Sequence, residues 1–581
     1  MKNIFSVSLK SLVLFRISLG VILFFDFLNR FDIIHPFYSD IGIASRSFIM
    51  NNEEIPWKMS LLNLNGTPAF ANLLATIGLI SSLLITLGAR TKIASIIAWV
   101  LLISFQNRFP IINHGGDNLL RLLLLFSIFA PTNLYLSLDK FFGQSHELEP
   151  PEEVSTPFTF LFFIQIFLMY FFTFFYKWNP SWLTKFDSLY FAMSLDIFTT
   201  PIGTQLLNFP KLMSIGSFFT LWLEGLGPLF LLIPWKRDYF RMIVIILFWF
   251  LHLGILLTMN LGNFPWICLA LWLPIVPNSF WTFLSKKNTR ALGYTLYFDS
   301  NCGFCKRFCI LLKNIFFLSK LEVSSSNKDA EINNLIEKNK SWLLVDPKNN
   351  QYIEYYVFSK LLDQSFLTKL HFIYANKLSL SLGNYAYQRI SKFRFLIGST
   401  LTNLFNIELK VHTNISGIIF ATLLISLSIS WNFEGYLGSS KFDIKEPFTS
   451  IAFALGLNQQ WNMFAPKPMR NDAWYIIDGN LQDGTRLNPL TKESISFQKP
   501  LHPQNTMKNS QWRKFYLNLS KKSEKKYLRK FANYICREWN NHNENKLTNF
   551  KIYYMLERTP DDPKTLLKVN KNLIWTYDCF F

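Results

Sequence analysis

Two cysteines with a two-residue spacer, Cys302-Gly303-Phe304-Cys305, are the sharpest chemical signal in this 581-residue chain. They fall where an alternating stretch, Tyr294–Phe298, gives way to a helical pattern from Cys302 to Phe317. A helix N-terminus carries partial positive charge and free N–H groups, and both favour a thiolate over a thiol. Cys302 is thereby placed to attack a disulfide, and Cys305 to close the ring and release the product. Lys306 and Arg307 add positive charge nearby. Asp299, three residues before Cys302, would either tune the pair or cap the helix. Half of a zinc site and part of an iron–sulfur centre are the competing readings. Neither is completed within the segment, which shows no second cysteine pair, suitably spaced histidine or fourth ligand. Inert packing stays open for the pair, and Cys309 reads as a core residue.

A second group lies in the first half. His114 sits in the short Asn113-His114-Gly115-Gly116-Asp117 loop, and Lys177 ends the apolar run Val154–Tyr176. His252 lies eight residues before the turn Asn260-Leu261-Gly262-Asn263-Phe264-Pro265, which is about 12 Å along a helix. Desolvation at an apolar boundary disfavours a charged amine, so a lysine there can serve as a base. The plainer alternatives are snorkelling of Lys177 to the headgroups and a hydrogen-bonded core role for His252. Arg16, Asp26, Arg121 and Glu224 fall within or near apolar runs, where mutual pairing between helices is the expected arrangement.

The elements that must carry these residues follow from composition. Half of the chain is hydrophobic and only 17% is charged, against about 25% in soluble domains. A disordered chain is excluded, and a single soluble domain is not expected. Six cysteines are too few for a disulfide scaffold. Charge-free or nearly charge-free runs approach or exceed the ~20 residues that cross a bilayer. They are Ser11–Leu28, Ala69–Leu87, Ile93–Asn107, Leu119–Leu138, Val154–Tyr176, Leu212–Trp235, two runs within Met242–Ser285, and Val411–Asn432. That makes nine predicted spans. The first is read as a retained helix, because it carries Arg16 and Asp26 and lacks a small-residue cleavage site. Arg90 and Lys92, then Lys236, Arg237 and Arg241, then Lys286, Lys287 and Arg290 alternate onto one face. The positive-inside rule makes that face cytoplasmic, together with residues 294–410, and places the tail after Asn432 outside. The formal charge of +20 is therefore partly topogenic, and 16 basic against 7 acidic residues fall in Pro500–Phe581. Nucleic-acid binding is not expected of a tail without a recognisable module.

Ser341–Val345 is a second predicted strand beside Tyr294–Phe298, which suits a small α/β unit. Ala473–Asn480 and Phe550–Arg558 read as strands of the tail, and Ser510–Trp539 as a basic amphipathic helix that would lie on anionic lipid or face solvent.

Two resemblances sharpen this picture. Tyr297-Phe298-Asp299-x-x-Cys302-x-x-Cys305, with Leu344-Val345-Asp346 and Tyr387–Arg394, resembles the DCC family of thioredoxin-like thiol–disulfide oxidoreductases over Tyr294–Gly398. Ser300 and Gly303 depart from the glycine and proline common in that family. Asn113-His114, Lys177 with Trp182, and His252 with Gly262-x-Phe264-Pro265 resemble the HTTM domain, shared with vitamin K-dependent gamma-carboxylases, over Ser8–Phe283. That likeness implies a base at Lys177, assistance from His114, and a reduced quinone as cofactor, although the carboxylases carry a lysine pair. Gln459–Pro466 resembles a stretch following the last span of such proteins, with its aromatics suited to an interfacial belt.

The expected protein is a mainly α-helical multi-pass membrane bundle over 1–285, resident in a bacterial cytoplasmic membrane. A thioredoxin-like α/β insert over 294–398, a further helix over 411–432 and a mixed α+β C-terminal domain over 433–581 complete it. The expected site is Cys302, Cys305 and Asp299, acting on thiol or disulfide protein substrates. A second site is Lys177, His114 and His252, and no metal is expected. A quinone-linked carboxylase and a non-enzymatic membrane scaffold are the alternatives.

Overall fold

The computed structural model describes residues 4–52, 59–143, 151–300, 302–404, 414–500, 503–560 and 567–579. Among the described residues six helices are long and apolar enough to cross a membrane: Leu9–Tyr38, Pro68–Leu87, Pro157–Tyr176, Pro210–Leu232, Arg237–Thr258 and Ile415–Leu437. A seventh crossing results if Phe264–Ile275 and Asn278–Lys286, bent by 82°, count as one. This is an integral multi-pass membrane protein whose surface helices meet lipid.

The predicted nine spans are thus corrected to six or seven. The helix Thr91–Arg108 exists, but Lys92, Gln106, Asn107 and Arg108 lower its hydropathy. The run Leu119–Leu138 yields only Gly115–Phe129, 15 residues, about 22 Å against a hydrocarbon core of about 30 Å. Leu119, Leu122, Leu123 and Leu124 are fully buried. This is the central helix of the bundle, wrapped by protein, and hydropathy alone does not separate a wrapped helix from a spanning one.

The spans pack tightly where side chains vanish. A Cβ on Gly20 would lie 2.3 Å from Thr86 Oγ1, and one on Gly78 would lie 2.5 Å from Phe27 Cδ1. Those two contacts set Leu9–Arg30 antiparallel to Pro68–Leu87, with backbones close as small residues allow. β1 (Val7–Ser8) pairs antiparallel with β2 (Glu153–Val154), which brings the start of the chain beside the Pro157–Tyr176 helix.

The charges inside the bundle pair between helices only in part: Glu224 takes Lys177, and the arginines find other partners. Arg30 binds Asp26 at 2.7 Å, one helical turn away. Arg16 donates to the carbonyls of Thr132 and Leu136 at 2.9 and 2.6 Å. Arg121 donates to the carbonyls of Gly456 and Asn458 at 2.7 and 2.6 Å, which ties the bundle to the segment after the last span. For Arg16 and Arg121, backbone carbonyls, invisible to a reading of charged residues, take the places assigned to carboxylates.

The insert holds β3 (Thr295–Phe298), β4 (Glu322–Ser325), β5 (Leu343–Val345) and β6 (Gln351–Ile353) in the order β4-β3-β5-β6. β3 runs parallel to β4 and antiparallel to β5, and β6 is antiparallel to β5. Four longer helices, Gly303–Ile315, Ala330–Asn339, Tyr355–Asp363 and Lys377–Leu404, accompany the sheet. Its hydrophobic core, with Leu296, Cys309, Leu344 and Leu361, is separate from that of the bundle.

The tail behaves differently, for its core is continuous with the bundle. β7 (Asn471–Leu481), β8 (Arg486–Leu487), β9 (Leu547–Arg558) and β10 (Val569–Asp578) form one antiparallel sheet ordered β10-β9-β7-β8. β10 had no counterpart in the sequence reading, because Lys568, Asn570, Lys571 and Asn572 break its apolar alternation. The predicted helix Ser510–Trp539 is two helices, Ser510–Leu519 and Lys525–His542, separated at Lys522–Glu524. Their apolar faces lie on the bundle rather than on lipid: the Trp512 ring packs 4.7 Å from Phe37, and Tyr527 lies 5.7 Å from Phe109. A disulfide, Cys536–Cys579, fastens the second helix to the end of β10.

Insert and tail occupy opposite ends of the bundle. Thr91, at the start of the Thr91–Arg108 helix, bonds Asp139 in the short helix Leu138–Phe142, and Arg307 of the insert donates to Phe141 at 3.0 Å. Beyond the other end of the same helix, Asn518 of the tail donates to the Ile111 carbonyl at 2.6 Å.

Candidate functional site

The Pro157–Tyr176 helix starts on Thr156, which caps it, and stops at Lys177. Lys177 does not snorkel. It is 3% exposed, and its Nζ meets both carboxylate oxygens of Glu224 at 2.8 and 2.6 Å. The Trp182 ring lies 4.3 Å from the same nitrogen and is itself held by donation to the Phe464 carbonyl at 3.1 Å. Glu224 comes from the Pro210–Leu226 helix. The sequence marked it as a charge in an apolar run, but nothing in the spacing named Lys177 as its partner.

These groups wall a cavity of about 260 Å³, which Tyr170 and His252 also line. Tyr170 Oη lies 2.7 Å from His252 Nε2 and accepts from Trp272 Nε1 at 3.1 Å. An indole N–H only donates, but the tyrosine oxygen can also accept a second N–H, so the direction of its bond with His252 depends on the imidazole tautomer. The other ring nitrogen, His252 Nδ1, is buried without a hydrogen-bond partner among the described residues. An orphaned buried ring nitrogen on a residue that lines a cavity marks a place where a polar ligand group would find a partner.

His114 has a different post. It caps the Gly115–Phe129 helix, with Nδ1 accepting from Gly116 at 3.0 Å and its own N–H donating to Asp117 at 2.8 Å. The cavity lining does not include it. It lies behind that wall: a Cβ on Gly262 would be 3.8 Å from its Nε2, and Gly115 approaches Met463, which does line the cavity.

In the insert, β3 delivers the chain to Cys302, the N-cap of the Gly303–Ile315 helix, whose Sγ accepts from the Cys305 N–H at 3.2 Å. Cys302 and Cys305 are joined as a disulfide and are 3% and 1% exposed. Cys302 is the N-cap, and the backbone carbonyl of Asp299 accepts from the Cys302 N–H at 3.1 Å. Asn301 lies outside the described residues. Cys309 is buried, and burial pushes its thiol well above the usual range, so it stays protonated and packs. Among the described residues no group of His, Cys, Asp and Glu is arranged to hold a metal.

A family model for the HTTM domain matches residues 6–281. Residues 6–281 are an HTTM domain. The match takes in Lys177, Glu224, Tyr170 and His252 and ends before the insert, over which no oxidoreductase family is detected. No curated protein and no solved structure matches the chain. The HTTM domain does not close its cavity alone. Met463 and Phe464, from the segment after the last span, complete the lining. The reading of Gln459–Pro466 as an interfacial belt is therefore corrected. Trp461 is fully buried, its indole donates to Gln459 at 2.7 Å, and Gln459 bonds Gln165 of the HTTM domain at 2.8 Å. The stretch is a plug.

Proposed function

We propose that the chain is a membrane-anchored thiol–disulfide oxidoreductase acting through Cys302 and Cys305. The observation that carries this reading is the disulfide at a helix N-cap, with Cys302 Sγ already accepting a backbone N–H. That position stabilises the thiolate released on reduction. In the reduced form Cys302 attacks a substrate disulfide, forming a mixed disulfide and expelling one substrate thiolate. Cys305 then attacks Cys302 Sγ, restores the Cys302–Cys305 bond and releases the second substrate thiolate. The substrate gains two electrons, and a thiol donor must return them. The sheet order β4-β3-β5-β6, with a parallel first pair and an antiparallel second, supports a thioredoxin-like insert of DCC type. The low exposure of Cys302 implies that a partner must open the helix N-terminus to reach it.

The same reading sets the insert in the cytoplasm. Arg90, Lys92, Lys236 and Arg237 share its end of the bundle, while the Cys536–Cys579 disulfide at the other end suits an oxidising compartment. The test is reduction of insulin or a disulfide peptide by the full chain, driven by dithiothreitol or glutathione. Turnover unchanged by Cys302→Ser would overturn the proposal.

The cavity favours a second reading, for the HTTM domain. An apolar chamber with one ion pair and one unpartnered ring nitrogen fits a reduced quinone: the walls would hold the ring, His252 Nδ1 would pair with a ring oxygen or hydroxyl, and Lys177 with Glu224 would exchange a proton with a ring hydroxyl. Such a group would supply hydride or carbanion-forming chemistry, as quinones do. Titrating full-length protein with a quinol would show binding lost in His252→Phe; equal affinity in both would exclude this pose.

A further inference from the structure

The Lys377–Leu404 helix packs its insert-facing side closely. Gly383 abuts the Tyr355 ring, Asn384 accepts from the Tyr355 N–H at 3.0 Å, and the Tyr387 ring lies 5.4 Å from Trp342. Its opposite side is an apolar stripe at helical spacing. Leu378, Leu382, Tyr385 and Phe393 are between 53% and 69% exposed. Just before the helix, Phe366, Phe372 and Ile373 are also exposed. Large apolar side chains at one helical face, all turned outward, call for a cover.

Charge and connectivity identify that cover. Between Asp363 and Glu408 the chain has no acidic residue, while Lys369, Lys377, Arg389 and Lys392 are basic and exposed. The helix ends at Leu404, and the spanning helix Ile415–Leu437 begins soon after, so the stripe is tethered to the membrane by a short stretch of the same chain. The insert itself rests on the bundle end marked by Arg90 and Lys92, through Arg307 on Phe141 and Trp281 stacked on Phe317.

We infer that the Phe366–Phe393 segment is a lipid-docking surface: its apolar stripe enters the headgroup region of an anionic leaflet on the insert's side of the membrane, with Lys369, Lys377, Arg389 and Lys392 on the lipid phosphates. Amphipathic basic helices bind membranes in this way, and each basic residue near an anionic surface adds to the attraction. The docking holds the insert, and with it Cys302, at a fixed height above the bilayer. It stands whether or not the cysteine pair turns over.

The test uses the full chain in nanodiscs, with a photoreactive phenylalanine analogue replacing Leu382 and, as control, Lys338 on another exposed helix of the insert. Phosphatidylcholine discs are compared with discs that also contain phosphatidylglycerol. Lipid adducts at position 382 should exceed those at 338 several-fold, rise with the anionic lipid, and fall when Lys369, Lys377 and Lys392 are changed together to Gln. Adducts no more abundant than at 338, adducts indifferent to headgroup charge, or adducts to a second copy of the chain would each overturn the inference.

Discussion

The two candidate sites stand at opposite ends of one bundle and are built in opposite ways. Cys302 and Cys305 come from one turn of one helix, and the group that acts on their sulfur is a backbone N–H of the same turn. The Lys177 cavity draws Lys177, Glu224, His252 and Phe464 from four separate stretches, and they come together only when the helices are packed. The first site's chemistry survives any disturbance that spares the strand–helix junction. The second has no chemistry apart from the tertiary structure. A variant series can therefore separate them, because damage at one end should leave the other end intact.

The largest effect is expected at the local site. Cys302→Ser should lower disulfide reduction by at least ~10³-fold, as loss of a nucleophile does, while thermal unfolding of the bundle in detergent is unchanged. If the bundle unfolds at lower temperature in that variant, the two ends are coupled and the comparison fails. Glu224→Gln should do the reverse. It leaves the Lys177 ammonium buried without its carboxylate, and uncompensated buried charge costs about 3–5 kcal/mol. Unfolding in detergent would show the loss, and the double variant Lys177→Met, Glu224→Leu would recover most of it. Disulfide reduction by the insert should persist in both.

The same contrast explains what could be read from the sequence. The cysteine pair, strand β3 and the helix after it were legible because their spacing is their geometry, and β5, β7 and β9 were legible from alternation. Lys177 and His252 could be singled out as unusual residues in apolar runs, yet their partners could not. Glu224 is 47 residues from Lys177, and Tyr170 is 82 from His252. No local period encodes such pairings. The span count failed for a related reason. The Gly115–Phe129 helix is apolar because other helices wrap it, and wrapping is a tertiary fact. The Cys536–Cys579 bridge was hidden by a separation of 43 residues and by the low overall cysteine count.

That bridge supplies the third prediction. The tail shares its core with the bundle, whereas the insert has its own, so loosening the tail should be felt at the cavity it helps to close. Cys536→Ser should cost roughly 2–4 kcal/mol, the usual range for a disulfide closing a loop of this length. It should also weaken any ligand held by the Lys177 cavity, whose lining includes Met463 and Phe464. Urea unfolding of the full chain in detergent, with and without a reductant, measures the first effect. Cys302→Ser serves as the matched control, because its disulfide spans two intervening residues and constrains the unfolded chain little.

The smallest effect is a pH dependence where the tail meets the HTTM domain. Lys499 lies 2.5 Å from Asp196, 2.7 Å from Glu557 and 3.7 Å from Asp472. Burial raises the Asp472 carboxyl to about 6 against the pull of Lys499, and Asp196 adds to the rise. A folded-state value above the unfolded one means that the folded protein binds this proton more tightly. The stability it contributes is therefore full below pH ~4 and is lost as the pH climbs through ~6, a change of roughly 3 kcal/mol at most. Asp472→Asn keeps the neutral shape at every pH. The difference in unfolding free energy between variant and parent should grow in favour of the variant from pH 4 to 7. Because Asp196 belongs to the HTTM domain and Lys499 to the tail, a flat difference would mean that this junction opens in solution, leaving Asp472 hydrated and the assembled end of the molecule less tightly built than the packing around Trp461 implies.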